Sequence, residues 1–103
     1  MPNLKIEKNN DVVTLHLEGK FNSEVADDVK KQIADLEVDA KEIILDFKDL
    51  LYVSSAGLRA ILETHKNMKA NGKQLTLINV DPGNMDILES TGLTKFLNIR
   101  NEQ

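Results

Sequence analysis

The chain has 103 residues, 41% of them hydrophobic and 29% charged, which suits one domain with one apolar core and is too short for two. Lys and Arg total 13 against 17 Asp and Glu, a formal net charge of −4, with both signs interspersed and no basic patch or aromatic platform, so no nucleic-acid surface is indicated. Cysteine is absent, which excludes a disulfide framework and a thiolate metal site. Met1-Pro2-Asn3-Leu4-Lys5 lacks the apolar core of a signal peptide and no apolar run reaches membrane-spanning length, so the protein reads as cytoplasmic, without membrane insertion. Along the chain, Leu4 to Glu7 and Val12 to Leu17 read as strands joined by the polar turn Lys8-Asn9-Asn10-Asp11, a hairpin. Val13, Leu15 and Leu17 alternate with Thr14 and His16, and Gly19 is expected to close that strand. Asn22 or Ser23 can cap a helix running to about Leu36, with Ala26, Val29, Ile33 and Leu36 as its buried stripe.

The next strand, Ile43 to Phe47, is a nearly unbroken apolar run of the kind found where both faces of a sheet are covered. A helix follows from Ser55 to about Asn71, its apolar side formed by Leu58, Ile61, Leu62, His65 and Met68 and its wet side by Arg59, Glu63, Lys66 and Lys69. Asn71-Gly72 ends it. Gln74 to Asn79 makes another strand, Asp81 caps a short helix with Pro82 at its first position, Gly92 stops that helix, and Leu97 to Arg100 fits a last strand. No linker, repeat or low-complexity segment interrupts this order. The fold class is therefore α/β: a mixed β-sheet with helices packed against it, β-β-α-β-α-β-α plus a terminal strand, as a single domain over residues 1–103. Right-handed crossovers place Asp49 to Ser55 as a loop at a strand's carboxyl end.

That loop, Asp49-Leu50-Leu51-Tyr52-Val53-Ser54-Ser55-Ala56-Gly57-Leu58-Arg59, is the most informative segment. Its serines stand at a helix N-terminus, where free N–H groups and the helix dipole favour an anion such as phosphate. From spacing alone, Ser55 is an ordinary N-cap. Gly57 costs roughly 1 kcal/mol against alanine in a helix, so either the helix packs closely on the sheet or a partner's backbone approaches it. Asp46 and Asp49 have two readings, a magnesium pair or turn caps, and the absence of a third acidic ligand and of a glycine-rich phosphate loop favours the second. His65 packs as a half-buried ring. His16 lies across its strand from Leu15 and Leu17. A glycine-flanked nucleophile elbow is missing, since Val53 stands where its first glycine would be, so catalysis by a Ser-His-Asp set is disfavoured and a small serine hydrolase is only a distant rival.

The same residues carry a resemblance. Asp49-Leu50, an aromatic and an apolar residue, the small polar pair and Gly57-Leu58 resemble the signature of the anti-sigma factor antagonists, soluble members of the STAS domain family. Val13-Thr14-Leu15-His16-Leu17-Glu18-Gly19 resembles the family's second strand and Ser90-Thr91-Gly92-Leu93-Thr94-Lys95-Phe96 its C-terminal segment. The resemblance implies partner switching: the unmodified protein binds an anti-sigma factor that is also a serine kinase, which frees a sigma factor for transcription. Phosphorylation of Ser55 ends that binding, and a phosphatase acts on the phosphorylated serine. Ser54 then becomes the cap while Ser55 points outward. The implied partner-binding residues are Asn22, Asp49, Tyr52, Ser54, Ser55, Gly57 and Arg59, with no catalytic residue, metal or cofactor. Ser54 and Asn22 stand where the family usually has aspartate. The alternative is a stand-alone STAS subunit of an ABC-type transport system, docked on an ATPase and never phosphorylated.

Overall fold

The computed structural model describes residues 5–36 and 39–101. Among them the chain forms β1 (Lys5–Asn9), β2 (Val12–Phe21), α1 (Ser23–Leu36), β3 (Glu42–Val53), α2 (Ser55–Ala70), β4 (Gln74–Ile78), α3 (Pro82–Ser90), a 3-10 turn at Leu93–Lys95 and β5 (Asn98–Arg100). One sheet holds all five strands in the order β1-β2-β3-β4-β5, with β1 antiparallel to β2 and the rest parallel. This is the mixed sheet expected from the sequence, terminal strand included. Leu4, expected in the first strand, lies outside the described residues. The hairpin turn is tighter than expected: Asn9 pairs with Val12, and Asn10 turns the chain at φ 59°, a left-handed conformation that asparagine tolerates.

Parallel strands in sequence order, joined by right-handed crossovers, put every helix on the same side of the sheet. Val13, Leu15 and Leu17 of β2, Ile43, Leu45 and Phe47 of β3, and Leu75 and Leu77 of β4 point to that side and form one core with Ala26, Val29 and Ile33 of α1, Ile61 and Met68 of α2 and Leu88 of α3. Each large apolar side chain so buried contributes about 1.5–3 kcal/mol. The inward stripe of α2 differs from the expected one. Gly57, Ala60, Ile61, Thr64 and Met68 are buried, while Leu58, Leu62 and His65 are only half-buried at its flank. Small residues face inward because this helix begins almost in contact with β2.

The opposite face of the sheet carries a hydrogen-bonded polar array, so the expectation of cover on both faces is corrected. Ile44 is buried yet stands outside the core cluster. Thr76, fully buried, donates from Oγ1 to Glu42 Oε2 (2.6 Å) and accepts from Asn98 Nδ2 (2.9 Å) and Gln74 Nε2 (3.2 Å). Beside it, Asp46 accepts from Asn79 Nδ2 (2.9 Å) and the Lys48 amide (3.0 Å), and pairs with His16 Nδ1 at 2.7 Å, while His16 Nε2 meets Glu7 Oε1 at 2.8 Å. The chain thus ties β1, β2, β3 and the end of β4 together through one buried carboxylate.

The Lys48 amide needs that carboxylate because β3 bulges there. His16 pairs with Asp46 but Glu18 pairs with Asp49, so Phe47 and Lys48 oppose the single Leu17. A second shift follows, with Gly19 opposite Leu50 and Lys20 opposite Tyr52, leaving Leu51 as the extra residue. Gly19, at φ 73°, accommodates the bend. Two expectations are corrected together: Gly19 does not end β2, and Asp49 to Val53 is not a loop but the bulged second half of β3. The bulges convert the two-residue period into a three-residue one, so that Phe47, Leu50 and Val53 all reach the core.

Burial pushes the Asp46 carboxyl up, and the hydrogen bonds from Asn79, the Lys48 amide and His16 outweigh it, holding the group below the ordinary aspartate range. A carboxyl depressed on folding contributes stability above its unfolded-state value and loses it as pH falls through the folded one. Asp46→Ala should therefore lose about 1.5–3 kcal/mol near neutral pH. In urea denaturation across a pH series, the variant should also show a shallower loss of stability with acid than the unsubstituted chain.

Candidate functional site

β2 and β3 end side by side, with Phe21 paired to Val53, so the residues that leave the sheet next are Asn22 and Ser54. Both are helix caps. Asn22 Oδ1 accepts the Val25 amide at 3.1 Å and its carbonyl accepts the Ala26 amide at 2.8 Å, starting α1. Ser54 has extended dihedrals (φ −79°, ψ 171°), and its Oγ accepts the Gly57 amide at 3.1 Å, starting α2. The same hydroxyl donates to the Phe21 carbonyl at 3.0 Å, and the Ser54 amide donates to that carbonyl at 2.9 Å. Ser54 therefore joins the end of one strand to the start of the neighbouring helix. The reading that spacing alone gave, with Ser55 as the cap, is corrected.

Ser55 becomes the first residue of α2, with an exposed side chain. The amides of the first helical turn have no intrahelical acceptor, so those of Ser55 and Ala56 lie open beside the hydroxyl. A phosphate there would meet N–H donors and the positive end of a 16-residue helix.

Gly57 resolves to close packing within the chain. A Cβ at this position would sit 2.4 Å from Phe21 Cδ1, 2.5 Å from Phe21 O and 2.9 Å from Val53 Cγ1. The remaining expected site residues lie outside this seam. Asp49 is exposed on the bulged half of β3, opposite Glu18. Tyr52 is 42% exposed and its neighbour Leu51, which the sequence pattern did not mark, is 73% exposed. Arg59 is exposed one turn along α2 and lines a cleft of about 250 Å³ between α1 and α2, together with Lys30, Glu63, Ala26, Ala56 and Ala60. Lys30 Nζ and Glu63 Oε2, 2.8 Å apart, bridge the two helices; that bond first, and the charge of Lys30 next, hold the Glu63 carboxyl below its ordinary range.

Ser55 and His65 are ten residues apart on one helix, about 15 Å along its axis, and both ring nitrogens of His16 face carboxylates. Among the described residues no group of three or more His, Asp or Glu is placed to hold a metal ion. Asp46, half of the suspected magnesium pair, is taken up by the β3 bulge. Two sequence signals could have exposed that bulge: a glycine inside an alternating strand, and the spacing of Phe47, Leu50 and Val53.

A family model described as the STAS domain matches residues 3–102. The chain belongs to the STAS domain family. Among curated relatives, it is similar to the anti-sigma F factor antagonist of Paenibacillus polymyxa, 26% identical over 98 residues covering 93% of this chain and 84% of that one. It is also similar to the anti-sigma-B factor antagonist of Bacillus subtilis, 23% identical over 97 residues covering 94% and 89%. Its fold matches that of the anti-sigma factor antagonist SpoIIAA in its unphosphorylated form, with a TM-score of 0.84 at 17% identity over 98% of this STAS domain and 89% of that chain. A sulfate transporter family protein from Wolinella succinogenes shares the fold with a TM-score of 0.79 at 23% identity, over 87% and 74%.

Two substitutions test the seam. By helix propensity alone, Gly57→Ala should stabilise α2 by up to about 1 kcal/mol. The added methyl instead meets a carbonyl that Ser54 holds fixed, so urea denaturation should show a net loss of about 1–3 kcal/mol. Ser54→Ala should lose about 1 kcal/mol, the ordinary cost of removing an N-cap, and amide exchange should quicken in the first turn of α2.

Proposed function

We propose that this STAS domain is an anti-sigma factor antagonist controlled by phosphorylation of Ser55. The observation that carries the reading is the division of labour between the two serines: Ser54 is consumed by the fold, and Ser55 is left as an exposed hydroxyl at the N-terminus of α2. The partner is an anti-sigma factor with serine kinase activity. It docks on Ser55 and the surface around it, to which Asp49, Tyr52 and Arg59 contribute side chains, while Asn22, Ser54 and Gly57 hold that surface in place. Binding releases a sigma factor; phosphate on Ser55 ends the binding, and a phosphatase resets the protein. The reading gives the chain no catalytic residue and no metal or cofactor of its own, and it places the protein in the cytoplasm. No helix among the described residues is long and apolar enough to cross a membrane.

The proposed switch acts on the interface rather than on the fold. A phosphate at an exposed helix N-terminus is locally favourable by about 0.3–1 kcal/mol, so it leaves α2 intact. The same group brings roughly −1.5 to −2 charge to a surface that must shed water in a complex, and an unpaired charge there costs several kcal/mol. The likeness to a sulfate transporter family protein favours one other reading, an unphosphorylated subunit of a transport system.

Ser55→Asp should weaken binding to the anti-sigma kinase by about tenfold or more, equivalent to about 1.4 kcal/mol, with an unchanged melting temperature. Ser55→Ala should bind like the unsubstituted chain and resist inactivation by kinase and ATP. Calorimetry with the cognate anti-sigma kinase reads both. Tight binding by Ser55→Asp, or its unfolding, would favour the transport reading.

A further inference from the structure

At the end of the sheet away from Ser55, the last turns of α2 and the first residues of β4 and β5 line a solvent-open cavity of about 290 Å³. His65, Lys69, Lys73, Gln74, Leu75 and Asn98 line it. In a chain of net charge −4, this lining holds two ammonium groups and no carboxylate. Neither lysine has an ion-pair partner among the described residues, in contrast to Lys30, which is bound to Glu63. Lys69 alone would be ordinary, since a cation suits the C-terminal turn of a helix. Lys73 lies beyond the helix, in the turn leading to β4, and that argument does not cover it.

His65 adds a separate observation. Its Nδ1 is buried without a hydrogen-bond partner among the described residues, a situation that costs about 1–3 kcal/mol for a polar group unless something pairs with it. Burial first, and the charge of Lys69 second, hold the imidazole below its ordinary range, which favours the neutral ring, whose Nδ1 gives or accepts one bond according to the tautomer. Gln74 and Asn98 bring amide groups to the rim, and Leu75 brings an apolar wall. The cavity is near the lower end of the size range of small-molecule sites, which begins at about 300 Å³, and suits a ligand on the order of ten heavy atoms.

We propose that this cavity is a binding site for a small phosphomonoester, with Lys69 and Lys73 holding the dianion, His65 Nδ1–H donating to one of its oxygens and Leu75 contacting its organic part. Two unpaired ammonium groups match a doubly charged head better than a single carboxylate, and lysine serves phosphate as a mobile point charge. The site is separate from the Ser55 surface, and its existence does not depend on the antagonist reading.

Phenyl phosphate, a dianion with a flat apolar body, is the probe, followed by two-dimensional NMR of the full chain. Saturable shifts are expected at His65, Lys69, Lys73, Leu75 and Asn98 and not at Ser55 or Ala56. The titration of the His65 ring should move upward in the complex, because the bound dianion offsets Lys69. Lys69→Gln with Lys73→Gln should weaken binding by about tenfold or more, whereas Lys31→Gln with Lys66→Gln, an equal loss of charge on exposed helix positions, should leave it unchanged. Benzoate should bind more weakly than phenyl phosphate. No saturable shift at millimolar phenyl phosphate, an equal loss in both double variants, or a His65 titration that does not move would each overturn the proposal.

Discussion

The carbonyl of Phe21 is the point at which sheet and helices are joined. It closes β2, accepts both the amide and the hydroxyl of Ser54, and lies so near α2 that only a glycine fits at position 57. Each contact constrains the others. If the Ser54 hydroxyl were absent, the Gly57 amide would lose its acceptor and the carbonyl one of its two donors. If position 57 carried a methyl group, α2 could not approach the strand closely enough for either bond. A hydroxyl at position 55 is exposed because the one at position 54 is held inside this contact.

Phe21 and Val53 must reach the same level for that contact to form, and the bulges in β3 set that level. β3 spends twelve residues beside the ten of β2, and its surplus is absorbed at Phe47-Lys48 and at Leu51. The first bulge frees the Lys48 amide, which Asp46 accepts; Asn79, held at φ 55°, and His16 complete the carboxylate's bonds. A polar array on the open face of the sheet thus fixes the register that, several residues later, positions a serine. The second bulge leaves Leu51 exposed to solvent.

The order of elements was readable from the residues because it depends on local signals: alternation in β2, the Asp81-Pro82 start of α3, the Asn71-Gly72 end of α2. The inner face of the sheet followed from the same alternation. What could not be read was set by pairing between distant residues. The Asp46 carboxylate is answered by residues 30 positions before it and 33 after, and nothing near Asp46 announces either. The stripe of α2 was misjudged because burial followed closeness to β2 rather than hydrophobicity, which favoured Gly57, Ala60 and Thr64 over Leu58 and Leu62. For the serine pair, spacing alone gave the wrong cap; the likeness to the STAS motif assigned Ser54 to it, and the bonds to Phe21 supply the physical reason.

The central claim is that the fold reserves Ser54 and offers Ser55. The most direct measurement is phosphopeptide mapping after incubation with the anti-sigma kinase and ATP, on the unsubstituted chain and on Ser54→Ala. The account predicts a single phosphate on Ser55 in both, and none on Ser55→Ala. Phosphate on Ser54, Ser23 or Thr91, or a chain that no cognate kinase modifies, would contradict it.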